Sequence, residues 1–203
     1  ERMTIPKKVV YIVGSLILVL IIAGASFFIY NQVQIKKEHD AKIAAAKKEK
    51  EDKQKKKIIF KDTIKSFKDD STSLASDAET IGNKYYNVWS DTIYNESVKI
   101  DGKTYTDFNK ALQAQNTKNI FDGTESNLET SIDTVKDEYN DLKNNVTSET
   151  ESEFNEVDSY YKSLMKFVNL AKEPSGNFNT FSDNYNDAKT NYIEQMNNLG
   201  YGE

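Results

Sequence analysis

Apolar side chains recur from Phe60 onward at alternating steps of three and four residues, with Ser71 the one polar member. This spacing places them on one face of an α-helix, and its average period of about 3.5 is typical of left-handed, coiled-coil-like packing. Short links at 144–147 and 172–179 favour antiparallel neighbours. We therefore predict an all-α domain over residues 58–203, an antiparallel up-down bundle of about four helices. The four runs are Phe60, Ile64, Phe67, Ser71, Leu74, Ala78, Ile81, Tyr85 and Val88; Leu128, Ile132, Val135, Tyr139, Leu142 and Val146; Phe154, Val157, Tyr161, Leu164, Val168 and Ala171; and Phe181, Tyr185, Ala188, Tyr192, Met196 and Leu199.

Local signals mark the ends of these helices. The segments 148–151 (SETE) and 180–183 (TFSD) resemble capping boxes at the starts of the third and fourth helices. Pro174 and Gly176 separate those two helices, and Gly200 follows the last run as a C-cap glycine does. Within the first run, residues 69–71 are where we expect any break.

Residues 97–106 depart from the helical pattern, because apolar and polar side chains alternate there around Asp101-Gly102. Alternation around Asp-Gly is the strongest short signal for a hairpin with a type I′ turn. We predict a small β-hairpin insert at 97–106, followed by a short helix from about Asp107 to Gln115.

Near the N-terminus, Val9–Tyr30 contains 22 residues without a charge. As a helix this segment would span about 33 Å, close to the thickness of a hydrocarbon core. A signal peptide cleaved after Ala25 is the alternative, since residues 23–25 (AGA) form an A-x-A site. The apolar stretch continues through Ser26–Tyr30, which favours an uncleaved anchor. We predict a single N-terminal transmembrane helix at 9–30 that contacts the lipid bilayer.

Charge divides the chain into further segments. Residues 1–8, a short basic tail, carry +2; residues 31–57 carry +5; and residues 58–203 carry −12, which together give the net −5. Residues 31–57 lack proline and glycine and hold acid-before-base pairs four residues apart, so we predict a helical stalk. Five of its lysines are candidates for contact with anionic lipid or wall polymer, although a solvated helix explains the same charges. They are Lys36, Lys37, Lys42, Lys47 and Lys48.

Two rules disagree about the orientation of the predicted anchor. More lysines follow the apolar segment than precede it, and a literal positive-inside count puts residues 58–203 in the cytoplasm. A short basic tail before an apolar run is instead the pattern of a signal-anchor, which leads the rest of the chain outward. We predict a single-pass protein of the cell membrane with the N-terminus inside and the bundle outside the cell.

Composition excludes many activities. The chain has no cysteine, so disulfides, zinc–thiolate sites, iron–sulfur clusters and a cysteine nucleophile are ruled out. Its one histidine, His39, lies in the lysine-rich segment and not among aromatic or acidic residues that could form a catalytic or metal site. The segment 183–187 (DNYND) lacks the glycine and the loop glutamate of a calcium loop. We predict neither an enzyme nor a cofactor or metal, and the −12 segment argues against nucleic-acid binding.

Aromatic side chains concentrate around the predicted hairpin. Tyrosine and tryptophan favour contact surfaces because each ring buries much area while keeping a polar group available. The alternative is that these rings close the end of the bundle as core. Tyr86 and Trp89 share one helical face that is separate from the Tyr85–Val88 run, so we expect both to be exposed. The candidate partner contacts are Tyr86, Trp89, Tyr94 and Tyr105.

These observations predict a membrane-anchored helical bundle that works as a protein-binding module at a bacterial cell envelope. Its partner would be an envelope protein, and accessory roles in secretion, immunity or superinfection exclusion suit the form equally. The alternative is a structural tether or coiled-coil scaffold that self-associates and has no dedicated ligand.

Overall fold

The computed structural model describes the backbone of residues 7–200 and the side chains of residues 26–200. This part of the chain forms five helices and one two-stranded antiparallel sheet, so the all-α class and the small hairpin are confirmed. The chain divides into two compact units, Glu1–Lys53 and Gln54–Glu203. The elements are α1 (Lys7–Tyr94), β1 (Val98–Ile100), β2 (Lys103–Tyr105), α2 (Phe108–Phe121), α3 (Thr124–Asn144), α4 (Glu151–Lys172) and α5 (Phe178–Asn198).

The prediction of a transmembrane helix is contradicted. Among the described residues, no helix contains an apolar stretch long enough to cross a membrane. The described part of α1 carries Lys36 and Lys37 soon after its apolar start, and charged side chains recur from there on. Residues 9–25 of the predicted span at Val9–Tyr30 lie outside the residues whose side chains are described. A single-pass protein of the cell membrane, with its bundle outside the cell, is therefore not supported.

Ion pairs and hydrogen bonds establish the helix directions in the second unit. Lys57 pairs with Glu149 beyond the end of α3, whereas Lys84 lies 3.6 Å from Asp122 just before α3 begins, so α1 and α3 are antiparallel. Lys68 Nζ donates to the Leu199 carbonyl, just after the end of α5, at 2.7 Å.

Glu79, which follows Lys68 on α1, pairs with Lys189, which precedes Leu199 on α5. Helices α1 and α5 therefore also run antiparallel. Lys172, at the end of α4, pairs with Glu129 near the start of α3. The four long segments therefore alternate in direction, as in an up-down bundle.

The predicted apolar runs form the core of this unit. Every residue of the four runs is buried or partly buried. The break expected at residues 69–71 is absent, because Ser71 faces the core and its Oγ donates to the Lys68 carbonyl at 3.1 Å. A small hydroxyl that is satisfied within the helix lets α1 continue without interruption.

Both predicted capping boxes are wrong. Thr150 precedes α4, but its hydroxyl accepts from the Thr147 backbone N–H at 2.9 Å and caps no α4 amide. Helix α5 begins at Phe178, where Asn177 Oδ1 accepts from the Thr180 N–H at 3.0 Å. The earlier start adds a turn that carries Phe178 into the core. Gly200 follows α5 with a φ of 71°, as a C-cap glycine does.

Gly82 of α1 lies directly against the ring of Tyr185 of α5. A Cβ atom at this position would stand 2.4 Å from Cε2 of Tyr185. The Tyr185 ring is 3% exposed, and its hydroxyl donates to the Glu79 carbonyl at 3.4 Å, so it has little room to move. Glycine is therefore required here by packing rather than by backbone conformation.

We predict that Gly82→Ala lowers the free energy of unfolding by about 1–3 kcal/mol, because overpacking outweighs the better helix propensity of alanine. Urea denaturation of the full chain measures the change. Combining it with Tyr185→Leu should cost less than the two single changes added together, since the smaller side chain relieves the overlap. A Gly82→Ala protein that is more stable than the parent would contradict the packing shown here.

Candidate functional site

The exposed apolar side chains of the second unit concentrate at one end of the bundle. Among its described residues, seven large apolar side chains are exposed, and five of these lie on the last turn of α1 or on α2. Ile58 and Ile59, the other two, lie near the opposite end of the bundle, close in sequence to Phe60. The five are Ile93, Tyr94, Phe108, Ile120 and Phe121.

The hairpin at this end forms as the sequence predicts. Asp101 and Gly102 have φ values of 48° and 80°, the positive pair that a type I′ turn requires. Ile100 pairs with Lys103 across the turn. Ile100 packs with Val88 of α1 and Ala111 of α2 in a small second core, which fixes the hairpin against both helices.

Helix α2 continues to Phe121, well beyond the predicted end at Gln115. Its start agrees with the prediction, because Asp107 Oδ1 accepts from the Lys110 N–H at 2.9 Å. The later turns bury polar side chains, with Gln115 Nε2 donating to Asn119 Oδ1 at 2.8 Å. An apolar period cannot detect a helical face that is buried but polar.

Trp89 is 3% exposed, so the prediction that it is an exposed contact is wrong. Its ring stacks on Phe108 at 6.2 Å and on Phe181 at 5.7 Å between centroids. At this end α1 is covered on two sides, by α2 along Val88 and by the start of α5 along Trp89. A single heptad-like stripe therefore underestimates how much of the helix is buried.

The other three predicted aromatic contacts lie at two separate places: Tyr86 and Tyr94 beside Phe178, and Tyr105 on the hairpin. Tyr86 is partly buried with its centroid 5.2 Å from that of Phe178, and Tyr94 is 66% exposed and lies 5.9 Å from the same ring. Trp89 also meets Phe178, at 6.1 Å. Tyr105 is partly buried on the hairpin, where Lys103 Nζ lies 5.4 Å from its centroid.

Phe178 lies outside the four predicted runs and was not among the candidate contacts, yet it is central to this end of the bundle. It contacts the rings of Tyr86, Trp89 and Tyr94, and it joins the start of α5 to the end of α1. The signal was available, since Asn177 as N-cap would have placed Phe178 at the first helical position.

We use the name aromatic end for the exposed Ile93, Tyr94 and Phe108 together with the buried Trp89 and Phe178, which these exposed side chains cover. A shallow pocket of about 360 Å³ opens beside it between α1 and the start of α5. Its polar rim consists of Asn177 and Asn179, both exposed. An apolar centre with an amide rim is suited to contact with another protein surface.

A second concavity, which we call the hairpin groove, lies between the hairpin and α2 and has a volume of about 590 Å³. Lys118 Nζ lies 2.7 Å from Asp101 Oδ1 at its edge, and this hydrogen bond raises the pKa of Lys118. Phe121, at the end of α2, is 86% exposed. The lining residues are Ile100, Asp101, Lys103, Tyr105, Lys110, Gln113, Ala114, Thr117, Lys118 and Phe121.

A polar contact ties α1 to α2 between these two surfaces. The Tyr85 hydroxyl donates to Asn116 Oδ1 at 2.8 Å, and burial raises the pKa of Tyr85. Lys84 reaches Thr124 Oγ1 at 3.1 Å, while the hydrogen bonds from Thr124 lower the pKa of Asp122. These bonds hold α2 and the start of α3 against α1.

The lysines predicted to contact lipid or wall polymer are all exposed on α1, and their role stays a prediction. Lys47 lies 4.0 Å from Glu51, four residues later on the same helix. The other four, Lys36, Lys37, Lys42 and Lys48, make no ion pair within residues 26–200. Within those residues no group of three or more acidic or histidine side chains is arranged to hold a metal ion.

Comparison with protein-family models, with curated proteins and with solved structures gives no match to this chain. The assignment of a function therefore depends on the geometry of the aromatic end and the hairpin groove.

Trp89 and Tyr94 allow a direct test of which ring is structural. We predict that Trp89→Ala lowers the free energy of unfolding by about 3–5 kcal/mol, because it empties a buried site that three other rings line. Tyr94→Ala should change it by less than about 1 kcal/mol, since most of that ring is in solvent. Thermal and urea denaturation measure both. Equal losses for the two variants would contradict the burial described above.

Proposed function

We propose that this chain is a protein-binding module whose contact surface is the aromatic end. The observation that carries the proposal is that three exposed apolar side chains, Ile93, Tyr94 and Phe108, lie over the buried rings of Trp89 and Phe178. Isolated exposed apolar residues are normal on a soluble surface, whereas a cluster with a polar rim marks an interaction site.

The support beneath the aromatic end favours binding over chance exposure. Tyr94 lies edge-on against Phe178, and Phe108 stacks on the buried Trp89. Rings held in this way lose little conformational freedom when a partner covers them, so more of the buried area is converted into affinity. Asn177 and Asn179 offer hydrogen bonds around the apolar centre.

The alternative of a self-associating scaffold has less support. The 3.5-residue stripe of α1 is covered within the chain by α3, α4 and α5, so it is not free to pair with another copy. In residues 31–57 the positions that continue this seven-residue repeat include Lys36, Lys50 and Lys53, which interrupt any apolar stripe there. No observation favours a scaffold over a binding module.

Site-specific photocrosslinking tests the proposal in cells of the source organism. A photoreactive amino acid replaces Tyr94 in one full-length variant and Ile58 in the control, because both side chains are exposed but at opposite ends of the bundle. We expect a discrete protein adduct from position 94 and none from position 58. Equal adducts from both positions, or none from position 94, would overturn the proposal.

Truncation at the same surface gives a second test. We predict that Ile93→Ala with Tyr94→Ala weakens capture of the crosslinked partner at least about tenfold, because loss of central apolar contacts at an interface typically costs more than 1 kcal/mol. The matched control is Ile58→Ala with Ile59→Ala, which removes a similar exposed area elsewhere. Both variants should retain the circular dichroism of the parent, and similar losses of capture would contradict the assignment.

A further inference from the structure

We propose that the hairpin groove binds an acidic peptide segment of the partner, with one bulky apolar side chain of that segment seated beside Phe121. This inference rests on the proposed function, and it adds the chemistry of the ligand and a second contact site.

Charge complementarity is the first argument. Residues 98–121 carry four lysines and two aspartates, a net +2, within a segment 58–203 whose net charge is −12. Of the three lysines that line the groove, Lys118 is neutralised by Asp101. Lys103 and Lys110 have no carboxylate partner among residues 26–200. Two unpaired ammonium groups therefore face one concavity on an otherwise acidic surface.

The surrounding negative charge makes this local excess selective. Exposed charges are screened beyond about 8–10 Å in physiological salt, so an acidic segment in the groove interacts mainly with the lysines that line it. In the rest of residues 58–203, 24 acids outnumber 10 lysines, so outside the groove the same segment meets a surface of net negative charge. Lys103 is held by its position over the Tyr105 ring, which reduces the entropy lost when it pairs with a ligand.

The apolar side of the groove supplies the anchor. Phe121 is 86% exposed at one end, with Ala114 and Ile100 in the lining. An exposed phenylalanine that adjoins a concavity has area to bury against a ligand side chain. Gln113 and Thr117 add hydrogen-bonding groups between the lysines and Phe121.

The spacing along α2 defines the length of the ligand. Lys110, Ala114, Thr117 and Phe121 follow one another at steps of three and four, so they lie along one face of the helix. The 12 residues from Lys110 to Phe121 span about 16 Å, which matches about five steps along an extended peptide. An acidic residue near Lys103 and Lys110 and an apolar residue near Phe121 would thus stand about five positions apart.

A peptide selection on the full chain tests this inference. Random seven-residue peptides displayed on phage are selected for binding to the parent protein and, separately, to the double variant Lys103→Glu with Lys110→Glu. The enrichment of each peptide is then compared between the two selections. The charge-matched control is Lys136→Glu with Lys143→Glu, which reverses two exposed lysines on α3. We expect enrichment of peptides with two or more acids and one aromatic or large aliphatic residue, and its loss in the groove variant alone.

Fluorescence anisotropy with the most enriched peptide then gives the magnitudes. We expect Lys103→Glu with Lys110→Glu to raise Kd about tenfold or more, Phe121→Ser to raise it severalfold, and added salt to weaken binding. No enrichment, enrichment of basic peptides, or equal effects of the two charge reversals would overturn the inference. So would tighter binding of a single-stranded oligonucleotide, or a dimer in sedimentation equilibrium that the groove variant abolishes.

Different results would contradict each of the two proposals. Crosslinking from position 94 with no lysine-dependent peptide binding would remove the groove inference and leave the binding module. Lysine-dependent peptide binding without any adduct from position 94 would remove the aromatic end as the contact surface and leave the groove.

Discussion

Burial of one stripe of α1 determines the rest of the second unit. Phe67 of the stripe meets Tyr160 of α4 edge-on at 6.1 Å, and beside the stripe Asp77 accepts a hydrogen bond from Ser131 of α3 at 3.0 Å. Further along α1, Trp89 on the neighbouring face stacks on Phe181 of α5. Because α3, α4 and α5 carry polar side chains on their outer faces, each depends on apolar partners in the core to offset its conformational entropy. The α1 stripe supplies such partners along its whole length.

The candidate surfaces are a consequence of how that stripe ends. The last turns of α1 need cover on two sides, and the hairpin with α2 supplies one while Phe178 and Phe181 supply the other. Covering the end in this way leaves Tyr94 and Phe108 partly in solvent and leaves a groove between the hairpin and α2. Structure and proposed binding thus share the same aromatic residues, with Trp89 in the structural role.

Sequence patterns predict the parts of this fold that depend on local chemistry. The three-and-four spacing identifies most core residues of α1, α3, α4 and α5, although it omits the fully buried Tyr160 and Phe167 of α4, and Asp101-Gly102 identifies the hairpin turn. Patterns fail where tertiary contacts decide. Trp89 is buried by a second partner that no period within α1 reveals, and α2 extends through buried Gln115 and Asn119. The length and lack of charge of Val9–Tyr30 predict a membrane span, but the described helices do not support it.

Hydrogen exchange of the full chain, read by mass spectrometry, tests most directly whether the α1 stripe holds the bundle together. Backbone amides over 60–89 should exchange only through global unfolding, with protection free energies equal to the unfolding free energy from denaturant. Amides over 31–53, whose side chains are almost all exposed, should exchange much faster. Fast exchange over 60–89 while α4 and α5 stay protected would contradict the account, because those helices would then be stable without α1.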